Sequence, residues 1–153
     1  MPSISDISND TPWFQIKAND KDWKSINKNS LIYMLEQLFI IRSFEEKLLY
    51  LKKEDLLHGP AHASIGQEGA AVGTMSLLSN SDKINGTHRM HHQFLAKALN
   101  YSKPKNYNPI SDDFPKDMNE TIYTTMAEIL GLSPGFNGGR GGSMHLKWDA
   151  VGA

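Results

Sequence analysis

A single, mostly helical domain over residues 30–153, preceded by a polar arm over residues 1–29, is the architecture the sequence predicts. Three observations carry it. Apolar residues repeat at helical spacing over one long stretch and return in shorter ones, the mark of helices with one face in a core. A chain of 153 residues, 39% hydrophobic, is long enough for one core that buries roughly 70% of the unfolded surface. Glycine and proline gather in a few short segments between the periodic ones, as they do in loops.

The arm is rich in Ser, Asn, Asp and Lys, with isolated Trp13, Phe14 and Trp23. This composition predicts irregular chain, ordered or floppy, whose tryptophans favour docking. Asn29 and Ser30 are helix-capping types. Behind them Leu31, Met34, Leu35, Leu38, Ile41, Leu48 and Leu51 follow at helical spacing, widened by Ile32, Phe39, Ile40 and Phe44. A long, heavily buried helix is expected. At its far end Glu45, Glu46, Lys47, Lys52, Lys53, Glu54 and Asp55 read as a solvated face. Residues 58–66 (HGPAHASIG) form a loop, and residues 69–76 a slim helix in which Ala70, Ala71 and Gly73 admit a close neighbour. A turn over 80–82 precedes a helical pattern over 88–99. Residues 100–119, rich in Pro, Asn, Asp and Tyr, read as a long surface excursion, after which helix returns over about 120–130. Five glycines from Gly135 to Gly142 exclude ordinary helix or strand there.

Composition narrows the function classes. The 16 basic and 17 acidic residues leave a formal charge of -1, so bulk charge favours neither nucleic acid nor an anionic membrane as a partner. Cysteine is absent, which removes disulfides, thiolate nucleophiles and Cys-ligated zinc together and fits a reducing compartment. The opening MPSISDISND carries neither a basic, apolar leader nor an Arg-rich transit pattern. The apolar run over 31–41 is interrupted by Glu36 and Gln37, well short of the ~20 apolar residues of a membrane span. A cytoplasmic location is the expectation.

All six histidines fall in three loop or loop-helix segments, residues 58–68, 87–92 and 138–145. In the second, His88, His91 and His92 are three or four residues apart, so at a helix start they share one face with Arg89 beside them. Such a face offers phosphate a planar guanidinium fork, ring N–H donors and backbone amides. The plainer reading pairs Arg89 with a core carboxylate and has the histidines cap or pack, and both readings stand. A His pair four apart suits zinc, but the carboxylate of an HExxH site is missing. In the third segment the glycines permit positive φ and bring backbone N–H groups close to an anion, with His145 as acid, base or donor. It matches neither the dinucleotide fingerprint nor the P-loop, and glycine-rich chain is commonly a linker. In the first segment His62 sits among small residues and is free to face a ligand, while Gln67 and Glu68 serve equally well as helix caps.

Taken in order, IRSFEEKL (41–48), HASIGQEGAAVG (62–73), GTHRMHH (86–92), MAEILG (126–131) and GGRGGSMHL (138–146) resemble a family of enzyme chains. The family is the alpha chain of the thiamine diphosphate-dependent pyruvate, acetoin and branched-chain 2-oxo acid dehydrogenases, and the resemblance runs over about residues 31–147. It implies an α/β fold: the N-terminal, mostly helical part of a doubly wound thiamine diphosphate-binding fold, incomplete here. By position, His62 matches the family's active-site His before GQE, Arg89 its diphosphate-binding Arg, and His91 the His two residues beyond. His145 matches the His of GGSMH near the substrate entrance. His88 stands where Tyr is common, and either side chain donates a hydrogen bond to phosphate. The resemblance thus makes His62 and His145 the catalytic candidates and His88, Arg89 and His91 the cofactor-binding ones. The family's Mg²⁺-diphosphate signature, Gly-Asp-Gly with a later Asn, does not occur, so Mg²⁺ ligands are expected outside this chain. The stretch over 100–119 is longer than the family's usual connection and more like forms that fuse alpha and beta regions.

The implied reaction is decarboxylation of a 2-oxo acid, with the acyl group passed to a lipoyl arm. The implied partners are a beta chain or beta region, which receives the aminopyrimidine and supplies the activating Glu, a lipoyl-bearing acyltransferase, and the small 2-oxo acid itself. On this reading the chain is a fragment of the decarboxylating component, inactive alone. The alternative is a stand-alone, non-catalytic interaction module that pairs with dehydrogenase chains through the long helix and the 69–76 face.

Overall fold

Residues 3–7 and 13–153 are described in the computed structural model; residues 1, 2 and 8–12, which belong to the expected arm, lie outside the described residues. The rest of the arm carries regular structure. Strands β1 (Ser3–Ile7) and β2 (Trp13–Lys17) pair antiparallel, with Ile4 opposite Ile16, and a short helix α1 (Asp20–Ser25) follows. Five residues of weak alternation do not read as a strand by themselves, and cross-strand pairing makes them one. Helix α1 starts at a capping box, in which Asn19 Oδ1 accepts from Asp22 N–H at 3.3 Å and Asp22 Oδ2 accepts from Asn19 N–H at 2.9 Å.

The long helix α2 (Lys28–Lys53) begins earlier than the sequence suggests, because the Asn27 side chain caps it by accepting from Asn29 N–H and Ser30 N–H. Its inward stripe is Tyr33, Gln37, Ile41, Phe44, Glu45 and Leu48. Two expectations need correction here. Leu35 and Phe39 point outward and are 51% and 66% exposed, so the helix is buried on one face only. Glu45 is not on the solvated face but fully buried, because Ile41, Glu45 and Leu48 lie four and three residues apart on the same stripe.

Helix α3 (Glu68–Met75) supplies Ala71, Val72 and Met75 to the core. Helix α4 (His91–Ser102) is the central element, packed against α2, α3 and α5 (Lys116–Ile129). Its Phe94, Leu95, Ala96, Ala98 and Leu99 are fully buried, each large one contributing about 1.5–3 kcal/mol relative to exposure. The Gly73 side of α3 faces open space rather than a close neighbour. The excursion after α4 is shorter than expected, residues 103–115, because α4 continues to Ser102 and α5 starts directly after Pro115. Met118, Ile122 and Ile129 give α5 its apolar side. A turn, Asp149–Val151, closes back onto α4, and Ile84 N–H donates to the Gly152 carbonyl at 2.8 Å. The described residues are thus mostly helical with one two-stranded sheet, compatible with part of an α/β domain. No helix among them is long and apolar enough to cross a membrane.

Candidate functional site

The turn before α4 separates its polar residues into an outer and an inner set. His88 and Arg89 are exposed, while His91 and His92 begin the helix and are buried. The shared face that spacing suggests for His88, Arg89, His91 and His92 is therefore not formed, since two of these side chains lie outside and two inside. His88 instead meets His62 from the preceding loop, their rings edge-on with centroids 4.5 Å apart. Two segments distant in sequence are thereby joined beside Arg89. Thr87 Oγ1 accepts from Arg89 N–H at 3.2 Å, and among the described residues no carboxylate pairs with the Arg89 guanidinium, so its pairing with a core carboxylate is not what the fold adopts.

The loop carrying His62 is held at three points. Lys52 Nζ donates to the carbonyls of Leu57 and Gly59 at 3.2 and 2.7 Å. At the loop's far end Glu68 accepts from Arg42 Nε at 2.7 Å, from Arg42 Nη2 at 3.2 Å and from Gly66 N–H at 3.0 Å. The hydrogen bond from Arg42, above all, holds the Glu68 carboxyl down at about 2 against the opposing effect of burial. Between them Ser64 donates its N–H and hydroxyl to Glu45, at 3.2 and 2.8 Å. Burial pushes the Glu45 carboxyl up, but hydrogen bonds from His91 and Ser64 outweigh it and leave it below the usual carboxylate range.

His91 is fully buried with both ring nitrogens occupied: Nδ1 lies 3.0 Å from Glu45 Oε1, and Nε2 lies 2.9 Å from Ser143 Oγ and 2.8 Å from the Ser143 carbonyl oxygen. Its ring is thus enclosed, whereas His88 and Arg89 are exposed. Of the two readings that spacing leaves open for His91, ligand donor or packed side chain, its burial and its contacts with Glu45 and Ser143 agree with the packed one.

The glycine-rich segment does grip an anion, and the anion is the protein's own. Glu128, fully buried at the end of α5, accepts from Asn137 N–H at 2.7 Å, Gly139 N–H at 3.0 Å and Gly141 N–H at 2.6 Å. Gly138, Gly139 and Gly142 take positive φ of 65°, 75° and 57°, which turns these amides inward. The amide donors are thus taken by Glu128, and the segment is a folded loop rather than a linker. It leaves His145 exposed. Sequence reasoning missed Glu45 and Glu128 as organisers; an acidic residue lying on an apolar helical stripe was the signal available for both.

His92 is buried and its Nδ1 has no hydrogen-bond partner. It lies beside a cleft of about 340 Å³ that Gln67, Asn85, Gly86, Thr87 and Gln93 also line. Burial, above all, lowers its pKa from 6.5. The unfolded chain therefore binds this proton more readily than the folded one. The stability is fully present above pH 6.5 and falls as the pH drops below it toward the folded value. Replacing His92 by Gln is expected to flatten that part of the curve, measured by urea denaturation at pH about 7.5 and about 5.5.

Among curated proteins, the alpha subunit of acetoin:2,6-dichlorophenolindophenol oxidoreductase from Bacillus subtilis is 29% identical over 131 residues, 86% of this chain and 33% of that protein. The subunit of the same name from Cupriavidus necator is 30% identical over 79% of this chain and 30% of its own length. The pyruvate dehydrogenase E1 component subunit alpha of Porphyra purpurea is 26% identical over 80% of this chain and 29% of its own length. The chain thus spans about a third of the length of these relatives. No family model matches it, and no solved structure does. Over about a third of their length, the chain is similar to alpha subunits of the pyruvate dehydrogenase E1 component and of acetoin:2,6-dichlorophenolindophenol oxidoreductase.

Proposed function

We propose that the chain contributes diphosphate-binding and substrate-site residues to the decarboxylating component of a 2-oxo acid dehydrogenase, as part of a doubly wound thiamine diphosphate-binding domain over residues 30–153. The observation that carries this reading is the meeting of His62 with His88 beside an unpaired Arg89. That donor set suits a diphosphate: an exposed guanidinium offers a planar fork to phosphate oxygens, and the His88 imidazole next to it in sequence adds a ring N–H donor. Thiamine diphosphate, when bound, supplies the carbanion-stabilising chemistry by which a 2-oxo acid loses CO₂. Arg89 and His88 hold the phosphate end. His62, packed edge-on against His88, is oriented to move a proton or donate to developing charge, and His145 does the same from the glycine-rich loop. His91 serves from beneath, through its buried contacts. The Gly-Asp-Gly signature with a later Asn that would hold Mg²⁺ does not occur in this sequence, so on this reading the Mg²⁺ ligands come from elsewhere in the enzyme.

A beta subunit is the natural partner of an alpha subunit, and exposed apolar side chains on α2 (Leu35 and Phe39) and beyond α3 (Leu77, 87% exposed) support a covering chain. The lipoyl-bearing acyltransferase follows as the acceptor of the acyl group, and the cytoplasm as the compartment. Titration calorimetry with thiamine diphosphate and Mg²⁺, in the presence of a beta subunit of this enzyme class, tests the reading. Arg89→Ala is expected to weaken binding by about 2 kcal/mol, roughly 30-fold, the scale of a lost charge-assisted contact. Equal affinity of the variant sinks the role of Arg89. Absence of any cofactor binding beside firm beta-subunit binding favours a non-catalytic interaction module instead.

A further inference from the structure

Three segments that carry candidate site residues meet on one buried carboxyl. Glu45 receives Ser64, 19 residues away, through both N–H and hydroxyl, and His91, 46 residues away, through Nδ1. His91 in turn reaches Ser143, 52 residues further on, through Nε2. Each anchored residue stands two positions from a candidate: Ser64 from His62, His91 from Arg89, and Ser143 from His145. Two residues span at most ~7 Å of chain, so fixing the anchor confines the neighbour.

An apolar side chain at position 45 would continue the stripe of Ile41, Phe44 and Leu48 without desolvating a charge. The carboxyl is tolerable only because its donors arrive from elsewhere in the chain, and that requirement makes it selective for one arrangement of loops. A carboxylate accepts, so Nδ1 of His91 donates to Glu45, while Nε2 lies between the Ser143 hydroxyl, which can donate to it, and the Ser143 carbonyl, which can only accept.

We propose that Glu45 is a positioning residue: by fixing Ser64 directly and Ser143 through His91, it sets the places of His62 and His145 relative to Arg89. The consequence for a bound cofactor rests on the functional reading above, whereas the effect on the loops does not. Nuclear magnetic resonance of the labelled full chain, without cofactor, tests the loop effect. Glu45→Gln turns one of the two acceptors into a donor, so the hydrogen bonds of Ser64 and His91 cannot all be kept, and the ring signals of His62 and His145 are expected to move together. The backbone signals of α5 are expected to stay in place. Ser143→Ala removes the hydroxyl contact with His91 while the carbonyl contact and those of Glu45 remain, and it tests the Ser143 link even if the first variant fails to fold. It is expected to move the His145 ring and to speed amide exchange over residues 141–144 by at least about tenfold, with His62 unmoved. The proposal is overturned if Glu45→Gln folds with His62 and His145 in place, or if Ser143→Ala changes neither His145 nor the exchange of its loop. A failed cofactor titration leaves these outcomes untouched, so the two readings fail separately.

Discussion

Glu128→Ala is expected to destabilise the fold by roughly 4 kcal/mol, because three backbone N–H groups lose a buried carboxyl acceptor at once and such bonds to a charged group are worth about 1.5–3 kcal/mol each, not fully additively. This is a large share of a typical domain's stability of about 5–15 kcal/mol. Asn137 and Gly139 donate to one oxygen and Gly141 to the other, which makes the isosteric change informative. Glu128→Gln can place its oxygen toward Asn137 and Gly139 and its NH₂ toward Gly141, so that one donor faces another. A loss of about 2 kcal/mol is the expectation. Urea denaturation measures both, and hydrogen exchange locates the damage to residues 135–142 if the account is right. A loss below about 1 kcal/mol for the alanine variant would show that water replaces the carboxyl at little cost.

The glycines of the same loop separate two physical effects. Gly139 has a φ of 75°, and a Cβ there would lie 2.3 Å from the Gly131 carbonyl carbon and 2.6 Å from its oxygen. Gly142 has a φ of 57°, but a Cβ there would meet nothing within 4 Å. Gly142→Ala therefore carries only the left-handed backbone term, about 1 kcal/mol. Gly139→Ala adds a backbone clash that neither strand of chain can relieve by a rotamer change, for a total of about 3 kcal/mol or more. Equal losses for the two variants, read by thermal or urea unfolding, would contradict the close approach of residues 131 and 139.

How much of this was legible in the sequence differs by element. Helices α2, α4 and α5 announce themselves, because spacing of apolar side chains is local and survives without knowledge of partners. Their ends do not. Asn27 caps α2 where Asn29 and Ser30 looked equally suited, and α5 starts at Lys116, four residues before its pattern becomes plain. The strands over 3–7 and 13–17 were invisible because each exists only through the other. In the candidate site, His62, His88 and Arg89 could be picked out by residue type and motif order, but not their meeting, since nothing local brings residue 62 to residue 88.

By itself the sequence determined the helices, the segments in which unusual residues concentrate, and kinship with the alpha subunits. All three are written in spacing and order along the chain. Only the tertiary structure decided which polar residues work inside and which outside. Glu45 and Glu128 look like surface charges until their donors arrive from residues 64, 91, 137, 139 and 141. His91, drawn inward by Glu45 and Ser143, becomes a support while His88, three residues earlier, remains exposed beside His62. The reason is energetic: a buried carboxyl is affordable only where its hydrogen bonds are met, and where they are met is a property of the folded chain.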